Sequence, residues 1–154
     1  MRKVHVVAVG MFVIATLAGC GGPRSSVSEG PNRGLFRTLP GNCADSDLTV
    51  ASARASAEES NHFHASFAID GDLSTRWSSG RASTAWLILD LGEREMIRGL
   101  AITWERAFSP SFWIQASDNA VNWATIDIDG ATQPGEQDIP GLDTTARYLR
   151  ILSQ

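Results

Sequence analysis

The sequence predicts an all-β domain built as an antiparallel jelly-roll β-sandwich, and three observations support this fold class. Apolar runs of strand length recur between clusters of turn residues, and no segment keeps the period of about 3.6 residues that marks an amphipathic helix. Fourteen Gly in 154 residues also favour turns and short strands over long helices. The strand-like runs are 48–56, 86–91, 96–104, 112–117, 123–128 and 147–152.

The first 19 residues, 1–19, are expected to be a signal peptide. Arg2 and Lys3 give a positively charged start, and residues 4–17 form a mostly apolar run. That run is shorter than the about 20 residues with which a helix crosses a bilayer. A plain secretory signal and a lipoprotein signal both fit these features.

The segment LAGC at 17–20 resembles the lipobox of bacterial lipoproteins. The resemblance implies cleavage before Cys20, lipidation of Cys20 and a lipid anchor that holds the mature chain in a membrane of the cell envelope. More than one acyl chain makes such an anchor stable, since each buried CH₂ contributes about 0.8 kcal/mol. Gly21 follows the lipidated residue, and by resemblance to known sorting patterns this favours the outer membrane or the cell surface.

Residues 20–45 are predicted to be a flexible tether because they are rich in Gly, Ser, Pro and Arg and have no period. Cys43 is the only cysteine besides Cys20. With Cys20 lipidated, Cys43 is either a small buried residue near the start of the domain or a free thiol that can pair with another molecule. The domain itself is predicted to span 46–154.

The charge of the domain excludes one class of partner. From residue 44 onward there are eight Arg and sixteen Asp plus Glu, and no Lys follows Lys3. An acidic domain gains no counterion-release energy from nucleic acid and is repelled by anionic lipid surfaces. We therefore expect no nucleic-acid partner, and we interpret the acidic charge as a contribution to solubility.

Five motifs follow one another between residues 46 and 152. They are AIDGDLSTRWSS at 68–79, WLILDLG at 86–92, the pair ITWE at 102–105 and FWIQAS at 112–117, the hairpin that ends at Trp123, and ARYLRI at 146–151. In order and spacing they resemble the discoidin family, also called coagulation factor 5/8 type C domains. The resemblance implies a galactose-binding-like jelly roll, and many bacterial members of this family are carbohydrate-binding modules.

The sequence departs from the family pattern at two places that matter for the fold. Asn119 and Ala120 replace the Asp and Gly of the family's hairpin, so either Ala120 adopts a positive φ at a cost of about 1 kcal/mol or the turn is of a different type. The family continues beyond its ARYVRI motif with a strand that carries an acidic residue, whereas this sequence ends at Gln154. We therefore expect the sandwich to lack its last strand and to expose an open edge, where a protein partner could add a strand.

The loop from Asp70 to Thr75 is a candidate site for a structural Ca²⁺ ion. Ca²⁺ takes about six to eight oxygen ligands, and the Asp70 carboxylate, the Asp72 carbonyl and the Thr75 hydroxyl can converge. The family resemblance adds the carbonyl of Phe67 and an acidic side chain from the last strand. The alternative is a metal-free turn held by the same hydrogen bonds.

Six residues are candidates for ligand binding, because the resemblance implies that ligands bind in loops at one end of the sandwich. Their side chains offer hydrogen-bond donors, acceptors and an aromatic surface to sugar hydroxyls and C–H faces. They are His62, His64, Arg81, Glu105, Arg106 and Phe108. His62 and His64 could instead bind a metal ion together with Glu58 or Glu59. The family's galactose-specific members often carry His where this chain has Ser78, so galactose itself is not favoured.

The five Trp are predicted to divide between core and surface. The positions of Trp77, Trp86 and Trp123 in the motifs indicate core, whereas Trp104 and Trp113 lie on or beside strands. Neighbouring strand residues face opposite ways, so either Phe112 or Trp113 faces outward.

No enzymatic motif accompanies these features. The sequence has no nucleophile elbow and no phosphate-binding loop, and adjacent Glu58 and Glu59 do not make an acid–base pair across a cleft. The sequence therefore predicts a membrane-anchored lipoprotein with a non-catalytic carbohydrate-binding module that recognises a glycan or polysaccharide. The alternatives are a protein–protein or adhesion module and a truncated remnant of a glycoside-hydrolase accessory domain.

Overall fold

The computed structural model describes residues 7–8, 16–19 and 46–154, and all its long elements are β-strands. Within these residues a single short 3₁₀ helix (Ala65–Ala68) lies between the fourth and fifth strands, and no helix is long and apolar enough to cross a membrane. The strands are β1 (Val7–Ala8), β2 (Thr16–Gly19), β3 (Ser46–Leu48), β4 (Ser52–Ala55), β5 (Ala85–Trp104), β6 (Phe112–Ser117), β7 (Ala124–Asp129) and β8 (Gly135–Ser153).

Two long bent strands, β5 and β8, run through both layers of the fold. Their antiparallel register shifts between Asp90 and Glu95, where Gly92 adopts a φ of 82°. A positive φ is open to Gly at little cost, so the chain can turn sharply at this point. The bend brings the two ends of β5, Ala85 and Trp104, to the same end of the domain.

The first half of β5 belongs to a five-stranded antiparallel sheet in the order β4-β5-β8-β6-β7. The second half of β5 and the first half of β8 form the other layer together with β2 and β3. Buried residues of both layers, such as Leu87, Ile102, Ile114 and Leu149, belong to one core. The fold is therefore an antiparallel jelly-roll β-sandwich, as the sequence predicts.

The segment that the sequence assigns to a signal peptide contributes two short strands. β2 pairs Leu17 with Leu48 on one side and with Leu100 on the other, and β1 runs parallel to the end of β5. The edge of β5 offers unpaired N–H and C=O groups to an apolar segment that can extend alongside it, which accounts for this pairing in the uncleaved chain. The assignment of residues 1–19 to a signal peptide stays a prediction. Cleavage after Gly19 stays a prediction, and Cys20 and Cys43 lie outside the described residues.

The Trp residues differ in part from their predicted positions. Trp77 and Trp104 are buried, and Trp104 packs against Phe112 at a ring-centroid distance of 5.2 Å. The prediction of core was wrong for Trp86 and Trp123, which are half-buried. Trp86 lies between the buried residues Ala85 and Leu87, so strand alternation turns its ring to the outer face.

The outward residue of the 112–113 pair is Trp113, which is half-buried while Phe112 is fully buried. In the hairpin between β6 and β7, Ala120 has a φ of 56°, which is the strained alternative of the two expected. The hydroxyl of Ser117 accepts hydrogen bonds from the backbone N–H groups of Asn119 and Ala120 at 3.2 and 3.0 Å. These bonds offset part of the cost of the left-handed conformation.

Candidate functional site

Arg76 joins three loops at the end of the sandwich where β5 begins and ends. Its guanidinium carbon lies 4.6 Å from the centroid of the Phe63 ring, and its Nη1 atom lies 3.5 Å from Oε1 of Glu105. Arg76 directly precedes Trp77, which is fully buried and donates its indole N–H to the carbonyl of Ala57 at 2.9 Å. A buried anchor therefore fixes the backbone position of Arg76. We call the surface formed by Phe63, Arg76 and Glu105 the Arg76 site.

Glu58 and His64 contact each other across the loop that carries Phe63. The Glu58 carboxylate accepts the backbone N–H of Ala65 at 2.7 Å and lies 2.6 Å from Nδ1 of His64. The hydrogen bond from Ala65, together with the His64 ring, holds the pKa of Glu58 below its ordinary value of 4.5. Both side chains line a groove of about 510 Å³ that runs along β4.

Glu59 is held by the segment that follows Trp77. Its Oε2 atom accepts the hydroxyl hydrogen of Ser78 at 2.7 Å, and its backbone N–H donates to the Ser78 carbonyl at 2.8 Å. Ser78 is fully buried and also accepts the N–H of Gly80 at 3.1 Å. Glu59 therefore fastens the 58–60 loop to the wall of the site and has one carboxylate oxygen committed to that role.

The six predicted ligand residues occupy different environments. Glu105 belongs to the Arg76 site, and His62 and His64 flank Phe63, so the structure brings these three residues into one region. His62, His64, Arg81 and Arg106 are exposed, and Glu105 and Phe108 are partly exposed. Phe108 packs against the core, which limits the ring surface it can offer to a ligand. Arg81 lies in the turn at residues 80–81.

Sequence reasoning missed Phe63 and Arg76, which join the loops of the site. Phe63 stands between the two His that drew attention as ligands, and Arg76 lies inside the 68–79 motif. The sequence does offer one signal for this contact, an aromatic residue and an arginine in neighbouring loops, because Arg commonly stacks on aromatic faces. In the part of the chain that the structure describes, no group of three or more His, Cys, Asp or Glu could hold a metal ion, so the His62–His64 metal alternative gains no support.

The Asp70–Thr75 loop gathers three of the predicted Ca²⁺ ligands. The Thr75 hydroxyl lies 2.6 Å from Oδ2 of Asp70 and 3.0 Å from the Asp72 carbonyl oxygen. The Asp72 carboxylate instead accepts the N–H and the hydroxyl of Ser74, which lowers its pKa from the ordinary value of 3.8. These three oxygens fit one side of a Ca²⁺ coordination sphere, and the hydrogen bonds among them also fit the metal-free turn.

This chain is similar to a known domain family and to two chitosan-binding modules of known structure. The family model described as F5/8 type C domain matches residues 52–154. Chitosan-binding module 1 of a chitosanase/glucanase from Paenibacillus sp. IK-5 is 32% identical, with 70% of this chain and 83% of that chain covered and a TM-score of 0.63. Module 2 of that enzyme, solved in complex with chitotriose, is 27% identical, with 70% and 85% coverage and a TM-score of 0.63.

A curated relative matches part of this chain within a much longer protein. The polysaccharide lyase 8 family protein HylA of Enterococcus faecalis is 34% identical over 86 residues, which are 54% of this chain and 6% of the lyase. The chain thus spans only a small part of that relative's length. The motifs, the jelly roll and the match over 52–154 agree, and the chain belongs to the F5/8 type C (discoidin) domain family.

Proposed function

We propose that this chain is a non-catalytic carbohydrate-binding module that binds a cationic amino-sugar polysaccharide, of the chitosan type, at the Arg76 site. The observation that carries the proposal is the close approach of an aromatic ring, a guanidinium and a carboxylate at Phe63, Arg76 and Glu105. Binding sites for small molecules combine apolar or aromatic surface with a few fixed polar groups, and these three residues supply both.

The charges around the site favour an amino sugar over an acidic one. Glu105 lies 3.5 Å from Arg76, Glu58 and Glu59 lie in the loop that carries Phe63, and the domain has twice as many Asp and Glu as Arg from residue 44 onward. Such a field attracts a polycation and speeds its association, whereas it repels a uronate chain. The similarity to two chitosan-binding modules supports the same ligand class.

Each group of the Arg76 site has a distinct role in this proposal. The Arg76 guanidinium holds the Phe63 ring in place from one side, which leaves the exposed part of the ring to contact the C–H face of a sugar. The Glu105 carboxylate, 3.5 Å from Arg76, accepts hydrogen bonds from a sugar ammonium or hydroxyl group. Both carboxylates at 58 and 59 accept protein hydrogen bonds, which suits a binding surface better than an acid–base pair.

Isothermal titration of the full chain tests this proposal. The ligands are the glucosamine hexamer, its N-acetylated counterpart and a mannuronate hexamer, and the variants are Phe63→Ala and Glu105→Gln. We expect the glucosamine hexamer to bind tightest, and each variant to weaken it about tenfold, which is about 1.4 kcal/mol. Glu93→Gln is the matched control, because Glu93 is an exposed glutamate at the β5 bend, away from the site. Preference for mannuronate, or unchanged binding in both variants, would contradict the proposal.

We also propose that Cys20 carries the lipid anchor and that the module is displayed at the outer membrane or the cell surface. The support is the LAGC segment at 17–20 and the apolar run before it. Cys20→Ala should abolish incorporation of labelled palmitate and release the chain from the membrane fraction. Retention of both label and membrane association in this variant would remove the proposal.

A structural Ca²⁺ ion at the Asp70 loop is a separate proposal. It rests on the three converging oxygens of Asp70, Asp72 and Thr75. Excess Ca²⁺ should raise the melting temperature of the full chain, EDTA should lower it, and Asp70→Asn should make the chain insensitive to both. An identical melting temperature with and without Ca²⁺ would leave the metal-free turn as the explanation.

The edge of β5 supports a second candidate function, binding of a protein partner by strand addition. This edge accepts β2, which pairs with Ile97 and with residues 99–101 and shifts register between Ala18 and Gly19. If residues 1–19 are cleaved, the same backbone groups become available to another chain. Hydrogen exchange of the mature protein tests this: slow exchange, only when a partner is bound, at those amides of residues 97–101 that face β2 rather than β8 supports it. A monomer whose edge amides stay unprotected under all conditions argues against it.

A further inference from the structure

We infer a second ligand site at the opposite end of the sandwich, a groove beside Trp123 that binds a neutral oligosaccharide. This inference goes beyond the proposed function, since it assigns a different site and a ligand of different charge. We call this surface the Trp123 groove. It lies next to the β6–β7 hairpin and the middle of β8, where Trp123, Asn119, Asn122 and Thr144 line a volume of about 460 Å³.

The Trp123 groove lies far from the Arg76 site because of the strand register. Ser117 at the end of β6 pairs with Tyr148, which also pairs with Asp90 next to the bend of β5. The other end of the same strands is marked by the pairing of Ser153 with Ala85 and Phe112. The hairpin and the Arg76 site therefore occupy opposite ends of the domain.

The Trp123 ring is held in position by a chain of side-chain contacts. The Arg150 guanidinium carbon lies 4.3 Å from the centroid of the ring, and Nε of Arg150 donates to Oε1 of Gln115 at 2.7 Å. Nε2 of Gln115 in turn donates to the Thr125 hydroxyl at 3.0 Å. A stacked and hydrogen-bonded cation fixes the indole before any ligand arrives, which lowers the entropy cost of binding. The part of the half-buried ring that Arg150 does not cover lines the groove.

Most polar groups of the groove are neutral hydrogen-bonding groups, and its lining includes one carboxylate, that of Asp118. Oδ1 of Asn119 accepts the backbone N–H groups of Val121 and Asn122 at 3.0 and 2.9 Å, which leaves its amide NH₂ to donate. Asn122 adds an exposed amide and Thr144 a partly exposed hydroxyl. The carboxylate at this end, Asp118, forms an ion pair with Arg94 at 2.9 Å. Amides, a hydroxyl and a fixed indole suit the hydroxyl groups and C–H faces of an uncharged sugar.

The volume of the groove is consistent with this ligand class. Sites for small molecules range over about 300–1,000 Å³, and about 460 Å³ lies within that range. The turn that borders the groove is rigid, because Ser117 and Asn119 each bind two of its backbone N–H groups. A prearranged ring and a rigid turn give the groove one fixed shape.

NMR titration of the full chain tests the inference, with N-acetylchitohexaose and cellohexaose as neutral probes. At least one probe should shift the Trp123 indole and the Asn122 side-chain amide in a saturable way. Asn122→Arg fills the groove from an exposed position, so the fold should persist while affinity at these signals falls at least tenfold. Val121→Ala is the matched control, because Val121 is 76% exposed and does not line the groove.

Three results would overturn the inference. The first is that neither probe shifts the Trp123 indole signal. The second is that Asn122→Arg leaves the ligand-induced shifts unchanged. The third is that Glu105→Gln abolishes these shifts together with the signals of the Arg76 site. Titration with the glucosamine hexamer separates this from the proposed function. If Phe63 responds and Trp123 stays silent to every probe, the inference fails and the proposed function stands. If Trp123 alone responds, the proposed function fails and the inference stands.

Discussion

At both ends of the sandwich an arginine stacks on an aromatic ring, but the polar group beside the arginine differs. At one end Arg76 stacks on Phe63 at 4.6 Å, and at the other Arg150 stacks on Trp123 at 4.3 Å. The Arg76 guanidinium faces the carboxylate of Glu105, whereas the Arg150 guanidinium faces the amide of Gln115. The arginine–aromatic pair thus gives each end a fixed ring, and the neighbouring carboxylate or amide sets the charge beside that ring.

This difference teaches how one fold can offer two ligand chemistries. A partly exposed carboxylate keeps the Arg76 site attractive to a cation, because Glu105 is only loosely paired at 3.5 Å. The amide of Gln115 is buried and neutral, and burial lowers the pKa of Arg150 without supplying a counter-charge. Ligand discrimination between the ends therefore depends on one carboxylate and its neighbours rather than on the sheet.

The largest expected effect comes from a substitution in the core that supports both ends of the sandwich. Phe112 is fully buried, packs against Trp104 and lies on β6, between β8 and β7. Phe112→Ala should reduce the free energy of unfolding by about 3–5 kcal/mol, because it leaves a cavity between the layers. Denaturant unfolding measures this, with Met96→Ala at a 36% exposed position as control. A loss below about 1 kcal/mol would show that the two layers do not share this core.

The next effect separates the ends by charge. Glu105→Gln should weaken the glucosamine hexamer about tenfold at the Arg76 site and leave neutral probes at the Trp123 groove unchanged. Raising the salt concentration should weaken the wild-type interaction in the same direction, since the attraction is electrostatic. Equal losses for charged and neutral ligands would show that Glu105 acts through the fold rather than through its charge.

A smaller effect sharpens the account of the hairpin end. Ala120 has a φ of 56°, a conformation that costs an L-residue about 1 kcal/mol and costs Gly little. Ala120→Gly should therefore increase the free energy of unfolding by up to about 1 kcal/mol without changing ligand binding at the Arg76 site. Thermal and chemical unfolding of the two proteins check this. A destabilised variant would mean that the turn does not keep this backbone conformation in solution.

The smallest effect concerns acid. The Ala65 N–H lowers the pKa of Glu58 from its ordinary value of 4.5, and the Arg147 guanidinium lowers that of Asp90 from 3.8. Each carboxylate therefore stabilises the fold fully only at a pH above its ordinary pKa. Their contribution is lost as pH falls through the lowered pKa. Glu58→Gln should flatten the fall in stability below pH 4.5, by less than about 1 kcal/mol because the pair is near the surface. Parallel pH profiles in variant and wild type would contradict this role.

The sequence predicted the fold better than it predicted the site, for a physical reason. Strand alternation is local, so residues such as Phe112 and Trp113 could be assigned to opposite faces from their neighbours alone. The Arg76–Glu105 contact joins residues 29 positions apart, and no local pattern indicates it. Motif positions do not distinguish the inner from the outer face, so they indicate core for Trp86 and Trp123 although both are half-buried. The pairing of β2 with β5 was equally hidden, because it depends on an edge that only the folded sheet presents.

A structure of the full chain bound to the glucosamine hexamer tests the central claim most directly. The account predicts one sugar ring against Phe63 and a sugar amine within hydrogen-bonding distance of the Glu105 carboxylate, with Arg76 still stacked on the ring. A hexamer bound away from Phe63 and Glu105, with both side chains in contact only with solvent, would contradict it.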